Sequence, residues 1–140
     1  MAKKLSFRLK QSAVIPFRIR DGLTEVVLIS SSSRKNWVIP KGGIEKLMSP
    51  EESAAKEAFE EAGVIGDVSN ELFAEYAYNK RGRKFHVKVY SLEVYSILVQ
   101  WDEMKKRKRC CVEVGEAMGL IKKKQKKVLR KFQEMLCTIY

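Results

Sequence analysis

Apolar residues fall into three rhythms along this chain: short runs before residue 50, a helical spacing from 50 to 62, and alternation followed by a second helical spacing towards the C-terminus. Ala13 to Arg18 predicts a strand, and Pro16, which cannot donate a ladder hydrogen bond, predicts an edge or a bulge there. Asp21-Gly22 predicts a turn. The run Val26, Val27, Leu28 and Ile29 within Glu25 to Ser30 predicts a buried central strand paired with the first. Ser30 to Ser33 with Arg34 and Lys35 predicts a loop whose hydroxyls and charges suit phosphate, although a solvated polar linker is the commoner role for any one of these residues. Trp37 to Ile39 then enters a Pro40 loop, with Trp37 as a core anchor. Gly66-Asp67 predicts a turn, and Glu71 to Tyr78 with Phe85 to Tyr90 predicts a hairpin around a basic tip, because Phe85, Val87 and Val89 alternate with polar neighbours. Cys110 to Val114 reads as a last strand and Gly115 to Leu120 as a short helix. Val128, Leu129, Phe132, Met135, Leu136 and Ile139 recur at helical spacing and predict a helix that covers the sheet. The order of elements implies an α/β fold, a mixed sheet enclosed by helices.

The stretch from Trp37 to Val64 carries the candidate chemistry. Ser49 before Pro50, with Glu52 three residues on, is a capping box with proline at the first helical position, and Gly63 supplies the stop. At about 100° per residue, Ala55, Ala58, Phe59 and Ala62 gather as an apolar back while Glu57, Glu60 and Glu61 gather as an acidic front facing away from the core. Three carboxylates at i, i+3 and i+4 repel one another, and a divalent cation removes that conflict. An oxygen-only donor set suits Mg²⁺ or Mn²⁺ rather than zinc. An isolated acidic helix face of this kind is most often merely solvated. The preceding Lys41, Gly42 and Gly43 change that balance, because they let backbone approach a ligand while holding positive charge beside it.

In this register the chain resembles the Nudix hydrolases. Gly42, Glu57, Ala58, Glu60, Glu61, Gly63 and Val64 match the family signature, while Met48 stands where the family has Glu and Lys56 where it has Arg. The resemblance implies a Nudix α/β/α sandwich with a mixed β-sheet, and metal ligation by Glu57, Glu60 and Glu61 with help from the Gly42 carbonyl. It also implies that one of these carboxylates activates water. Lys56, four residues before Glu60, can pair with it, and Glu45 is a substitute anion for the one missing at Met48. Weaker similarity outside the helix points to the branch acting on diphosphoinositol polyphosphates and dinucleoside polyphosphates.

Length and composition bound the reading. The chain has 140 residues, 45% hydrophobic, so a single domain over residues 1–140 is expected. A net charge of +11 favours an anionic partner. Arg34, Lys41, Gly42, Gly43, Arg81, Arg83 and Lys84 are the candidate substrate contacts, and the expected substrate is a small-molecule polyphosphate. Three cysteines without metal spacing fit a reducing cytoplasm. No apolar run suggests a signal peptide or membrane partner. The run Lys105 to Arg109 is read as a solvated or substrate-facing edge, and His86 as a surface histidine. A competing class is a Nudix-like module that binds RNA or polyphosphate without hydrolysis. It lacks an RNA-reading motif, so nucleic acid is possible but not favoured, and oligomeric state is left open.

Overall fold

The computed structural model describes residues 8–33 and 35–139; Arg34, one of the candidate substrate contacts, lies outside them. Among the described residues eight strands form one mixed sheet: β1 (Arg8–Arg20), β2 (Leu23–Ser30), β3 (Trp37–Val38), β4 (Lys41–Gly43), β5 (Val64–Val68), β6 (Ala74–Lys80), β7 (Arg83–Ile97) and β8 (Arg109–Glu113). The helices are α1 (Pro50–Ala62), α2 (Val114–Met118) and α3 (Lys123–Ile139). The main path runs β3-β2-β1-β7-β5, with β4 on β1, β6 on β7 and β8 on β2. β1 and β7 pair in parallel, and the other pairings are antiparallel.

Alternation along β1 explains the layers. Ala13, Ile15 and Phe17 face the cluster that contains Val128, Leu129 and Phe132 of α3 with Val114 and Ala117 of α2, whereas Val14 faces Ala54, Ala58 and Ala62 of α1. Both faces of the sheet are covered, which is why the β2 run reads as continuously apolar. The result is the expected α/β/α sandwich.

Two local expectations are corrected. Pro16 lies in an interior strand, paired with Leu92 of β7, not at an edge or bulge. It is tolerated because the other side of β1 forks there: β4 takes Gln11 to Ala13 and β2 takes Phe17 to Arg20. The Val14 N–H points to that side, to the Pro40 carbonyl, so the N–H that Pro16 lacks would have faced the fork. Gly66-Asp67 is not a turn but the middle of β5, at a register shift against β7. A Cβ on Gly66 would lie 2.1 Å from the Glu93 carbonyl oxygen, so glycine is needed for close approach and not for reversal. The hairpin tip is the expected one, with Arg81 and Gly82 both at positive φ between paired Lys80 and Arg83.

Candidate functional site

The capping box forms as the residue types dictate. The Ser49 hydroxyl accepts from the Glu52 N–H at 3.2 Å, the Glu52 carboxylate accepts from the Ser49 N–H at 3.0 Å, and Gly63 caps the other end at φ 66°. The loop is tied to the helix by the Glu45 N–H, which donates to the buried Ser53 hydroxyl at 2.9 Å. Arg109 finishes the C-terminus, donating to the Ala62 and Leu98 carbonyls at 2.8 Å each while its guanidinium lies over the Trp101 ring. The run Lys105 to Arg109 is therefore not one exposed edge. Arg107 and Arg109 turn inward, as alternate residues entering a strand do.

The apolar back of α1 is rotated from its expected position. Ser53, Ala54, Ala58, Glu61 and Ala62 are buried, and Phe59 is 41% exposed. Glu61 thus sits in the covered face rather than on an open front. Its neighbour Glu57 is half-buried and packs against Gly42, where a Cβ would lie 2.3 Å from the Glu57 carboxyl carbon. The Lys41 N–H approaches Glu61 Oε1 at 3.4 Å. The β4 backbone and two carboxylates of α1 therefore converge.

Electrostatics mark this convergence. Burial pushes the Glu61 carboxyl up to about 8, Arg107 opposes the shift, and Glu57, hydrogen-bonded to it, adds to it. Glu57 is raised as well, first by burial. Arg107 Nη2 lies 3.6 Å from Glu61 Oε2 and is itself held by Glu103 at 2.8 Å and the Ser30 carbonyl at 3.0 Å. Glu60 is turned elsewhere: Lys56 bridges it at 2.8 Å to Glu45 at 2.9 Å. Lys56 and Glu45 thus form the substitute pair expected from the signature departures, and both partners raise the Lys56 pKa. Met48→Ala is accordingly expected to leave Mg²⁺ affinity within about twofold, or ~0.4 kcal/mol, by calorimetry. A larger loss would mean that the Met48 side chain itself shapes the site.

Among the described residues, no three His, Cys, Asp or Glu side chains form a ready-made metal cage. The chemistry of the donors nevertheless fits a hard dication. Two acidic groups share one hydrogen bond because burial disfavours their charge, and a cation would favour both carboxylates. The Ser12 hydroxyl, opposite Gly42 in the β1–β4 pair, is buried without a partner.

Next to this convergence lies a cavity of about 500 Å³ walled by Trp37, Tyr76 and Tyr78, with Lys41, Lys122, Lys123 and Lys124 around it. Lys41 belongs to both regions. Its ammonium lies 5.1 Å from the centre of the Tyr78 ring, and burial lowers its pKa while Glu61 partly restores it. Trp37 packs on the core and also lines the cavity. Gln125, buried at a stripe position of α3, accepts from the Ile39 N–H at 2.9 Å and donates to the Tyr76 hydroxyl at 3.2 Å. Of the candidate contacts, Gly42 and Gly43 follow Lys41 on β4, whereas Arg81, Arg83 and Lys84 are exposed at the hairpin tip and line no part of this cavity. His86 pairs with Glu75 at 2.8 Å. Glu103, Tyr76, Tyr78, Gln125 and Lys122 to Lys124 were not singled out by sequence, and Arg107 only as one of a basic run. The available signals were a polar residue on an apolar stripe and two tyrosines at i and i+2.

A family model described as NUDIX domain matches residues 9–132. Diphosphoinositol polyphosphate phosphohydrolase 2 of Rattus norvegicus is 35% identical over 115 residues, covering 80% of this chain and 62% of that protein. Nudix hydrolase 18, mitochondrial, of Arabidopsis thaliana is 34% identical over 111 residues, covering 74% and 63%. The chain thus spans under two thirds of the length of these relatives. Among solved structures, C. elegans Ap4A hydrolase superposes with a TM-score of 0.78 at 19% identity, covering 93% of this chain and 99% of that one. The NUDIX domain of Shewanella oneidensis NrtR, complexed with ADP ribose, gives 0.76 at 14% identity, covering 97% and 93%. These structural likenesses concern the fold.

Proposed function

Because the chain belongs to the Nudix family, whose domain model matches residues 9–132, we propose that it is a metal-dependent pyrophosphohydrolase acting on a polyanionic substrate. A diphosphoinositol polyphosphate or a dinucleoside polyphosphate is the substrate class we favour. The observation that carries this reading is the pair of raised carboxyls, half-buried Glu57 against the Gly42 backbone and buried Glu61 against the Lys41 N–H, beside a lysine-rimmed cavity. Glu57, Glu61 and the Gly42 carbonyl would hold Mg²⁺ or Mn²⁺, with Glu60 as third carboxylate once it turns from Lys56. When bound, such an ion neutralises phosphate charge and lowers the pKa of attacking water. The protein's own part is to orient and to move a proton. A carboxylate of the pair accepts the proton of the water as its oxygen bonds to phosphorus; the anhydride P–O bond then breaks and the bridging oxygen leaves with the other phosphate. Lys41 and Arg107 supply fixed positive charge where negative charge builds up.

The name of a curated relative, a diphosphoinositol polyphosphate phosphohydrolase, supports the substrate class. So does the concentration of lysines at the cavity. We also propose a cytoplasmic location, because three free cysteines suit a reducing compartment. Phosphate release from a panel of pyrophosphate compounds with Mg²⁺ or Mn²⁺ tests the assignment, using Glu61→Gln as control. Preference for a simple nucleoside triphosphate or a nucleoside diphosphate sugar would overturn the polyanion class, and release no greater than the control would overturn hydrolysis. Neutralising Arg81, Arg83 and Lys84 together should raise KM with kcat nearly unchanged, and the rise should vanish at high salt, because the exposed tip acts through its field. Equal KM at low salt would reject any role for the tip.

A further inference from the structure

The aromatic cavity does not end at Lys124. Tyr76 and Lys124 also line a groove of about 270 Å³ between β6 and α3, so the groove adjoins the cavity. Val128 lies within the groove, and Lys124, Lys127 and Lys131 rise along it on successive turns, spaced by roughly 4.5 and 6 Å along the helix axis. Glu75, the acid that lines it, is engaged by His86 Nε2 at 2.8 Å. Lys124 donates to the Ala77 carbonyl, while Lys127 and Lys131 form no ion pair among the described residues.

The charge pattern of α3 is not what covering a sheet requires. Residues 122–131 hold seven cations and no acid. Lys123 and Lys127, Lys126 and Arg130, and Lys127 and Lys131 are like-charge pairs at i and i+4, each of which destabilises an isolated helix. Positive charge in the first turn also opposes the helix macrodipole. The apolar stripe would pack equally well with glutamates interleaved on the exposed face. A ligand of opposite charge removes the conflict, and the groove is where three of these lysines converge.

We propose that this groove is a subsite for a second phosphate of the substrate. Within the polyanionic class, such a subsite would favour a nucleoside with a phosphoanhydride at its 5′ end and a further phosphate on its 3′ side over a diphosphoinositol polyphosphate, which has no base for the aromatic wall, and over a dinucleoside polyphosphate without a 3′-phosphate. The assignment of the reactive end rests on the proposed hydrolase reading; the subsite rests on the groove. The order of chemistries on the surface is the reason. Carboxylates and Lys41 handle phosphate at one end, Trp37 and Tyr76 line the middle beside Tyr78, whose ring is stacked on Phe85, and Lys127 and Lys131 handle phosphate at the other, next to the Lys124 that is tied to Ala77. At the junction the Tyr76 hydroxyl accepts from Gln125, which leaves its own hydrogen available to a ligand. A linear polyphosphate has no ring for the aromatic wall, and a nucleoside triphosphate leaves the groove empty. A free nucleotide bearing a 3′-phosphate and the 5′ end of an RNA chain both present the required chemistry.

Calorimetry without metal tests the subsite independently of turnover. Adenosine and guanosine 3′,5′-bisphosphates are compared with the corresponding 5′-monophosphates, on the natural protein and on Lys127→Ala/Lys131→Ala. Both lysines are exposed, so the variant should keep its melting temperature. The expected result is that a bisphosphate binds about tenfold tighter than its monophosphate, with the gain screened by salt and lost in the variant, whose monophosphate affinity is unchanged. Equal binding of the two ligand types, or a gain that survives in the variant, would overturn the subsite. A 5′-phosphorylated oligonucleotide added as a third ligand assigns the source, with tighter binding than the bisphosphate indicating an RNA end and equal or weaker binding a free nucleotide. If the bisphosphate gain is present but no phosphate is released from 5′-diphosphate analogues with metal, the hydrolase reading fails and the subsite stands.

Discussion

Glu61→Gln should abolish turnover and at the same time raise the melting temperature of the metal-free protein at pH 8. The two effects have one cause, the buried position of this carboxyl. Its folded pKa, about 8, is above the unfolded value of 4.5, so the folded state keeps a proton that the unfolded state releases. Any stability associated with the group is therefore present below about pH 4.5 and is lost as pH rises through about 8. Across that window each pH unit costs at most about 1.4 kcal/mol. Arg107 and local relaxation absorb part of this, so the expected loss is on the order of 2–3 kcal/mol. Glutamine cannot ionise, keeps the shape and removes the loss, which corresponds to a rise of roughly 5–10 °C at pH 8 and little change at pH 4.5. Thermal melts at the two pH values, with and without Mg²⁺, measure it. The natural protein should be stabilised by Mg²⁺ at pH 8 and the variant much less. A variant that melts lower than the natural protein at pH 8 would show that ionised Glu61 is already well paired, and one that retains full rate with metal would remove Glu61 from the site. The loss in rate should exceed about 10³-fold, the scale seen when a group that acts only in the transition state is removed.

That coupling was only half legible in the chain. The ends of α1 are local chemistry, and Ser49, Pro50, Glu52 and Gly63 declare them without help from the rest of the fold. The gathering of Glu57 and Glu61 is likewise local, since it follows from a spacing of four residues on any helix. Which part of the wheel the sheet covers is not local. α1 packs on Val14, Val27, Ile29 and Leu92 from three strands, and their placement depends on the parallel union of β1 with β7, far away in sequence. The covered face is turned by roughly 70° towards Glu61 from the position that alanine and phenylalanine spacing suggests. Phe59 is left outside as a result. The lysine-lined cavity was hidden for the same reason. Trp37, Tyr76 and Lys124 come from three separate elements, and β6 reaches α3 only because β7 carries it there.

Gly42→Ala should cost nearly as much activity as Glu57→Gln while leaving the fold almost untouched. The new Cβ would meet Glu57 at 2.3 Å from Cδ, 2.5 Å from Cγ and 2.6 Å from Oε2, distances that no pair of atoms sustains. The three nearest atoms it meets all belong to one flexible side chain, and Gly42 is not at positive φ, so the backbone can keep its pairing with Ser12. The conflict is resolved by Glu57 swinging away, at a stability cost of about 1 kcal/mol, typical of a substitution that the surroundings can accommodate. Displacing a group that must be placed to within a fraction of an ångström costs about 10²-fold or more in rate. Because both changes act through the same carboxylate, they should not add: Gly42→Ala/Glu57→Gln should be no slower than Glu57→Gln alone. Rates of the two single variants and the double variant, with their melting temperatures, decide it. A fully active Gly42→Ala would show that the carboxylate has room to work elsewhere. A double variant slower than Glu57→Gln by the full single-variant factor would show that Gly42 serves through its own backbone rather than by seating Glu57.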